Sequence, residues 1–226
     1  MRWLILAAGA ASLADRAAAG AWTQPPGHSQ QISTLSREVG DFGETWRSDY
    51  LAEYGFASGW GAHVKLENQI RIAEIYDDRF SLEAGLRRSF AVGPRGAIAL
   101  QASVLGAEAI DGPDCDATGY EGRLAWGASR SFGARNGFVN VETGWRSRGP
   151  GCERMVIEAA VGLQVAKDWR VIGKAWSEDG DGARSAKVEA SVLRDMGEYS
   201  FGLGYRREVS GAFEEDGLVV AAWRRF

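Results

Sequence analysis

Fourteen charged side chains recur at spacings of two or four along extended-looking runs. They are Lys65, Glu67 and Arg71; Glu83 and Arg87; Glu121 and Arg123; Glu142 and Arg146; Glu158; Lys174; Lys187 and Glu189; and Arg206. Successive side chains of a strand point to opposite faces, so each group occupies one face of its strand. Opposite charges on neighbouring strands can form ion-pair ladders that stiffen a wall. The same charges can instead set the field inside a narrow water-filled passage. Six glutamates stand against eight lysines and arginines in this set. A passage lined by them is expected to be weakly anion-selective, with Arg123 and Arg146 among its determinants.

Other chemistry is sparse. A hydrolase needs a nucleophile and a base within hydrogen-bond reach, and the chain has two histidines. His28 is followed by Ser29 on the opposite face, and His63 belongs to the charged face beside Lys65 and Glu67. Neither has a hydroxyl two residues away on its own face, so no catalytic residue is expected and the chain does not read as an enzyme. No cofactor or metal is expected either: the acidic connectors lack the spacing of an EF-hand, and two cysteines alone are too few ligands for a metal. Cys115 and Cys152 are the two cysteines. An exported chain joins such a pair, and the bridge would close a span of 152 − 115 = 37 residues.

Export is indicated by the first residues. Met1 and Arg2 precede the uncharged apolar run WLILAAGAASL, and Ala17, Ala18 and Ala19 offer a cleavage site before Gly20. Residues 1–19 thus read as a signal peptide, since a spanning helix needs about 20 apolar residues. The whole chain carries 26 basic and 30 acidic side chains, net −4. Nucleic acid wants a concentrated basic face, so it is not an expected partner.

The elements that must position the charges are strands. In residues 120–146, Tyr120, Gly122, Leu124 and Trp126 alternate with Glu121, Arg123, Ala125 and Gly127. After the break GARNG, Val139, Val141, Thr143 and Trp145 alternate with Asn140, Glu142, Gly144 and Arg146. That period and break predict a hairpin. Twelve such runs are expected, at 28–35, 45–55, 62–72, 80–90, 97–107, 120–132, 138–146, 156–165, 169–176, 186–193, 199–206 and 218–226. Every second connector is tight, as in VGPRG, GARNG, AKD and DMGE. The others, including SREVGDFGE, EAIDGPDCDATG, SRGPGCERM, SEDGDGAR and EVSGAFEEDG, are mostly longer and polar. Cys115 and Cys152 fall in two of these, on one side.

This layout predicts an all-β fold: a single transmembrane antiparallel up-and-down β-barrel of about twelve strands over residues 31–226, with short periplasmic turns and longer extracellular loops. Residues 20–30, with Pro25 and Pro26, form an extension on the periplasmic side, either hanging free, tucked into the lumen or meeting a partner. Glycines such as Gly127, Gly144, Gly162, Gly202 and Gly204 share the charged face. Glycine packs nothing against water or core, but suits a crowded interior, so the apolar face should point to lipid. Trp126, Trp145 and Trp169 lie towards strand ends, where interfacial aromatics belong.

Over its mature length the chain resembles Gram-negative outer-membrane β-barrels, ending on their terminal aromatic, Phe226. Arg224 stands where their pattern has an apolar residue, and Trp223 is out of phase. The resemblance implies residence in the bacterial outer membrane among lipid and lipopolysaccharide, and insertion by the outer-membrane assembly machinery. Twelve-strand members include porins for acidic oligosaccharides, nucleoside channels and lipid-hydrolysing enzymes. By that likeness the function is a narrow channel or transport component for small polar or charged solutes or oligosaccharides. The alternatives are a structural or assembly-partner barrel closed by its own ion pairs, a lipid hydrolase, and a secreted β-sandwich.

Overall fold

A computed structural model describes residues 20–40, 43–72, 78–108, 115–133, 135–180, 183–211 and 214–226. The signal-peptide reading of residues 1–19 lies outside them. The strands are β1 (Ser29–Gly40), β2 (Gly43–Ala57), β3 (Trp60–Arg71), β4 (Arg79–Val92), β5 (Gly96–Ala107), β6 (Gly119–Phe132), β7 (Arg135–Ser147), β8 (Glu153–Ala166), β9 (Trp169–Gly180), β10 (Ala183–Met196), β11 (Tyr199–Ser210) and β12 (Asp216–Arg225). Each pairs antiparallel with its chain neighbours, and β12 pairs with β1 to close a twelve-strand barrel. At the seam Ser29 donates to the Phe226 carbonyl at 2.7 Å, and Phe226 donates back at 3.0 Å. Closure leaves no ladder edge unpaired, which hydrocarbon demands of any spanning sheet.

All twelve expected runs are strands. Two expected loops are instead mostly ladder. Gly40 stands opposite Gly43, and Gly180 opposite Ala183, so residues 36–40 and 43–44, and 177–180 and 183–184, continue the sheet. The apolar alternation stops there, but cross-strand charge pairs replace it: Arg37 meets Glu44 at 2.6 Å and Arg184 meets Asp179 at 3.8 Å. The asymmetry of the two ends persists in the connector between β5 and β6, which spans residues 108–118, against two residues between β2 and β3.

Register assigns every side chain a side. The outward set is exposed and apolar, with Leu100 at 55%, Val104 at 66%, Leu203 at 62% and Leu218 at 62%. Trp126, Trp145 and Trp169 belong to this set. An apolar band encircling the sheet exceeds any patch a soluble monomer tolerates and fits a lipid boundary.

Candidate functional site: the barrel lumen

All fourteen charged residues singled out in the sequence lie on the inward face by register. In the loop-side and central lumen the structure brings most of them together, along with carboxylates the sequence reading left out. Glu121, whose side chain is fully buried, accepts from Arg123 and, at 2.6 Å, from Arg146. Arg123 also reaches Glu158 at 2.6 Å, and Arg146 lies 3.6 Å from Glu178. Lys65 meets Glu67 at 2.8 Å, and Arg87 lies near Glu53 and Glu142. A second cluster joins Glu38 to Arg206 at 2.8 Å and Lys187 at 3.5 Å, and Glu189 to Lys174 and Arg206. Glu38, Glu53 and Glu178 oppose the expected cationic excess. Not every charge is sealed: the side chains of Glu158, Lys174 and Lys65 keep 42%, 31% and 29% exposure inside the wall.

Several of these contacts skip a strand, and glycine makes the skip possible. Gly217 stands between Glu38 and Arg206 in one cross-barrel row. A Cβ there would come within 2.6 Å of the Glu38 Cγ. Gly144 likewise stands beside Arg123, and its missing side chain leaves the path by which Arg123 crosses β7 to Glu158.

The same device builds a contact that local spacing did not show. His63, Gly85 and Ser103 are successive partners across β3, β4 and β5. Over Gly85, Ser103 Oγ lies 3.3 Å from His63 Nε2 and donates to Glu83 Oε1 at 2.8 Å, while His63 Nε2 is 3.0 Å from the same oxygen. A catalytic triad needs the carboxylate on the ring nitrogen opposite the hydroxyl. Here both converge on Nε2, and the buried Nδ1 has no partner. The arrangement is a hydrogen-bonded knot in the wall.

Towards the turn end the inward face changes character. Phe138, Ile172, Leu193, Ala221 and Trp223 form a buried apolar cluster, with Ile32 and Ala160 packed against it. Trp223, out of phase in the sequence pattern, is in phase with this inner face. Ala97, Ala99 and Ala125 on β5 and β6 form a second buried cluster with Ala21, and Trp22 packs against it.

Those two residues belong to the segment that precedes β1, which enters the turn-side mouth. Arg87 Nη1 donates to the Gly20 carbonyl at 2.5 Å, and the Ala21 amide donates to Asn140 Oδ1 at 2.9 Å. Ser89 Oγ donates to the Ala21 carbonyl at 2.8 Å. Trp22 lies over Gly127, and the Gln24 and Pro25 carbonyls over Gly55, where any side chain would collide. Gly27 then donates to the Gly55 carbonyl at 2.7 Å, handing the chain to β1. A cavity of about 580 Å³ lies between this segment and the β2–β3 and β4–β5 turns, lined by Trp22, Pro25, Gly59, Ser89 and Pro94 among others.

At the opposite end Cys115 and Cys152 are bonded, with Cα atoms 5.7 Å apart, tying the β5–β6 connector to the β7–β8 connector. Arg148 Nη1 donates to the Ala107 and Ala117 carbonyls there, at 2.9 and 3.0 Å. Glu215, before β12, lies 2.6 Å from Lys187. Burial pushes its carboxyl up despite that ammonium, so it takes a proton at a higher pH than a free glutamate.

Strand number, closure, apolar exterior and polar inner wall define a transmembrane β-barrel of the bacterial outer-membrane architecture. No protein-family model matches the chain, and no curated protein matches it. Solved structures do. A NanC porin is similar with a TM-score of 0.63 at 9% identity, over 85% of this chain and 98% of the other. A KdgM porin in complex with disordered oligogalacturonate gives 0.61 at 9% identity, over 87% and 99%. LpxR from Salmonella typhimurium gives 0.55 at 10% identity, over 87% and 99%. At such identities the likeness carries the fold and nothing finer.

Proposed function

We propose that the protein is a narrow channel of the bacterial outer membrane for small polar or charged solutes, oligosaccharides included, with its turn-side mouth closed by its own N-terminal segment. The observation that carries this reading is the partial exposure of Glu158, Lys174 and Lys65 within the wall: the central lumen holds room for water among charges of both signs. What closes the mouth beyond them is in part a removable segment, held by a few hydrogen bonds and one tryptophan. In this reading residues 1–19 are cleaved as a signal peptide, the turns face the periplasm, and lipopolysaccharide surrounds the loop end. Similarity to porins supports the proposal through the fold alone. A hydrolase is disfavoured because His63, Glu83 and Ser103 lack triad geometry and lie inside the wall, away from lipid.

The test is reconstitution of the chain lacking residues 20–27 in a planar bilayer, after showing that it fractionates with outer membranes and migrates differently on gels before and after boiling. Small discrete conductance steps are expected. Lys65→Glu with Lys174→Glu should shift selectivity towards cations, because a low-dielectric passage amplifies wall charge. These lysines report better than Arg123 and Arg146, whose guanidiniums are clasped by Glu121, Glu158 and Glu178. A truncated barrel that passes neither current nor solute would leave a structural barrel sealed by its ion pairs.

A further inference from the structure

The two rims of the barrel hold several of their outward-facing arginines in different ways. At the loop end each has a carboxylate beside it: Arg37 with Glu44, Arg184 with Asp179, and Arg207 with Asp216 at 3.5 Å. At the turn end three hairpins repeat another arrangement. Trp60, Trp169 and Tyr199 each open an odd-numbered strand, and directly opposite them in the ladder stand Arg88, Arg194 and Arg224. Each guanidinium lies over its aromatic partner, at 5.1, 5.5 and 5.4 Å from the ring centroids, and Arg224 also lies 4.6 Å from the Phe226 ring. None of the three has a carboxylate within ion-pair distance among the described residues.

We infer that this turn-side rim is a binding surface for the phosphate groups of glycerophospholipids in the surrounding leaflet. The stacked ring holds each guanidinium at the level where aromatic residues settle in a bilayer interface. Arg88 Nη1 donates to the Ser58 carbonyl at 2.6 Å, and the remaining edge of each planar fork can donate two parallel hydrogen bonds to a phosphodiester. At the loop rim the counter-charge is built into the protein; at the turn rim the leaflet supplies it. Three copies on the β3–β4, β9–β10 and β11–β12 hairpins spread the contacts around the barrel and fix its depth and tilt. The inference is independent of whether the lumen conducts.

The test uses the full barrel refolded in neutral detergent, with lipid retention read by native mass spectrometry. The probes are phosphatidylglycerol and, as a phosphate-free control with the same tails, diacylglycerol. Phosphatidylglycerol should be retained over diacylglycerol. Each of Arg88→Gln, Arg194→Gln and Arg224→Gln should weaken retention roughly fivefold, and the three together about a hundredfold. Glutamines at Arg37, Arg184 and Arg207 should leave it unchanged. Equal retention of the two lipids, or an unaltered triple variant, would overturn the inference. So would displacement by millimolar inorganic phosphate, which marks a site for free anions. Should the triple variant fail to refold, the single variants and the rise of wild-type thermal stability with phosphatidylglycerol, absent with diacylglycerol, decide the matter.

Discussion

Replacing Trp22 by alanine isolates the contact that holds the N-terminal segment in the mouth. The indole packs against the cluster of Ala21, Ala97, Ala99 and Ala125 and lies over Gly127. A partly buried aromatic of this size contributes roughly 2 kcal/mol. Losing it should multiply the ratio of open to closed mouth by about thirty, since each 1.4 kcal/mol is about tenfold. The bonds from Arg87, Asn140 and Ser89 remain, so the segment should still return, and Trp22→Ala should flicker where removal of residues 20–27 stays open. Single-channel open probability measures this directly. A second readout needs no current: Ala125, 3% exposed in the alanine cluster that Trp22 packs against, changed to cysteine, should resist a polar thiol reagent in the wild-type background and react with it in Trp22→Ala. Identical open probability and identical labelling in both backgrounds would refute the reasoning.

Glu121→Ala takes one carboxylate from two guanidiniums, Arg123 and Arg146, which keep Glu158 and Glu178, and should lower the unfolding free energy by about 1–3 kcal/mol in denaturant titrations from liposomes; Glu121→Gln, whose single amide oxygen keeps one of the two hydrogen bonds, should lower it less. Gly217→Ala places a methyl against Glu38 and the Arg37 carbonyl at 2.8 Å, so the same titration should show a loss of about 1–3 kcal/mol. For a free chain, the 37-residue span closed by Cys115 and Cys152 would correspond to about 4 kcal/mol of loop entropy. The β6–β7 ladder already restrains that span, so Cys115→Ser with Cys152→Ser should leave barrel stability within about 1 kcal/mol while protease cuts the two loops faster.

The fold was legible because alternation needs only neighbours in sequence. Tyr120, Leu124 and Trp126 against Glu121 and Arg123 announce a strand and its two faces without any knowledge of the partner. Contacts across the lumen were not legible, because they depend on which glycine falls opposite which side chain. Ser103 reaches His63 over Gly85, though 40 residues separate them, and a one-residue slip in either ladder would abolish the meeting. The apolar inner cluster was hidden for another reason. Ile172, Leu193 and Trp223 share the hydropathy of lipid-facing residues, so period alone gives their side only once the strand phase is known. The entry of Ala21 and Trp22 into the mouth had no periodic signal, and the sequence reading left it as one of three courses for the segment.

The seam between β1 and β12 makes the first and last strands of the barrel each other's neighbours. Eleven hairpin-adjacent pairings can form in succession, but the twelfth joins Ser29 to Phe226 and waits for the whole chain. Until then two ladder edges stand open, and hydrocarbon tolerates none. Such a chain cannot thread into a bilayer strand by strand as it emerges. It has to reach the membrane complete, and its slowest step should be the long-range meeting of its ends. Removing β12 should therefore abolish insertion altogether, with no eleven-strand barrel accumulating in its place.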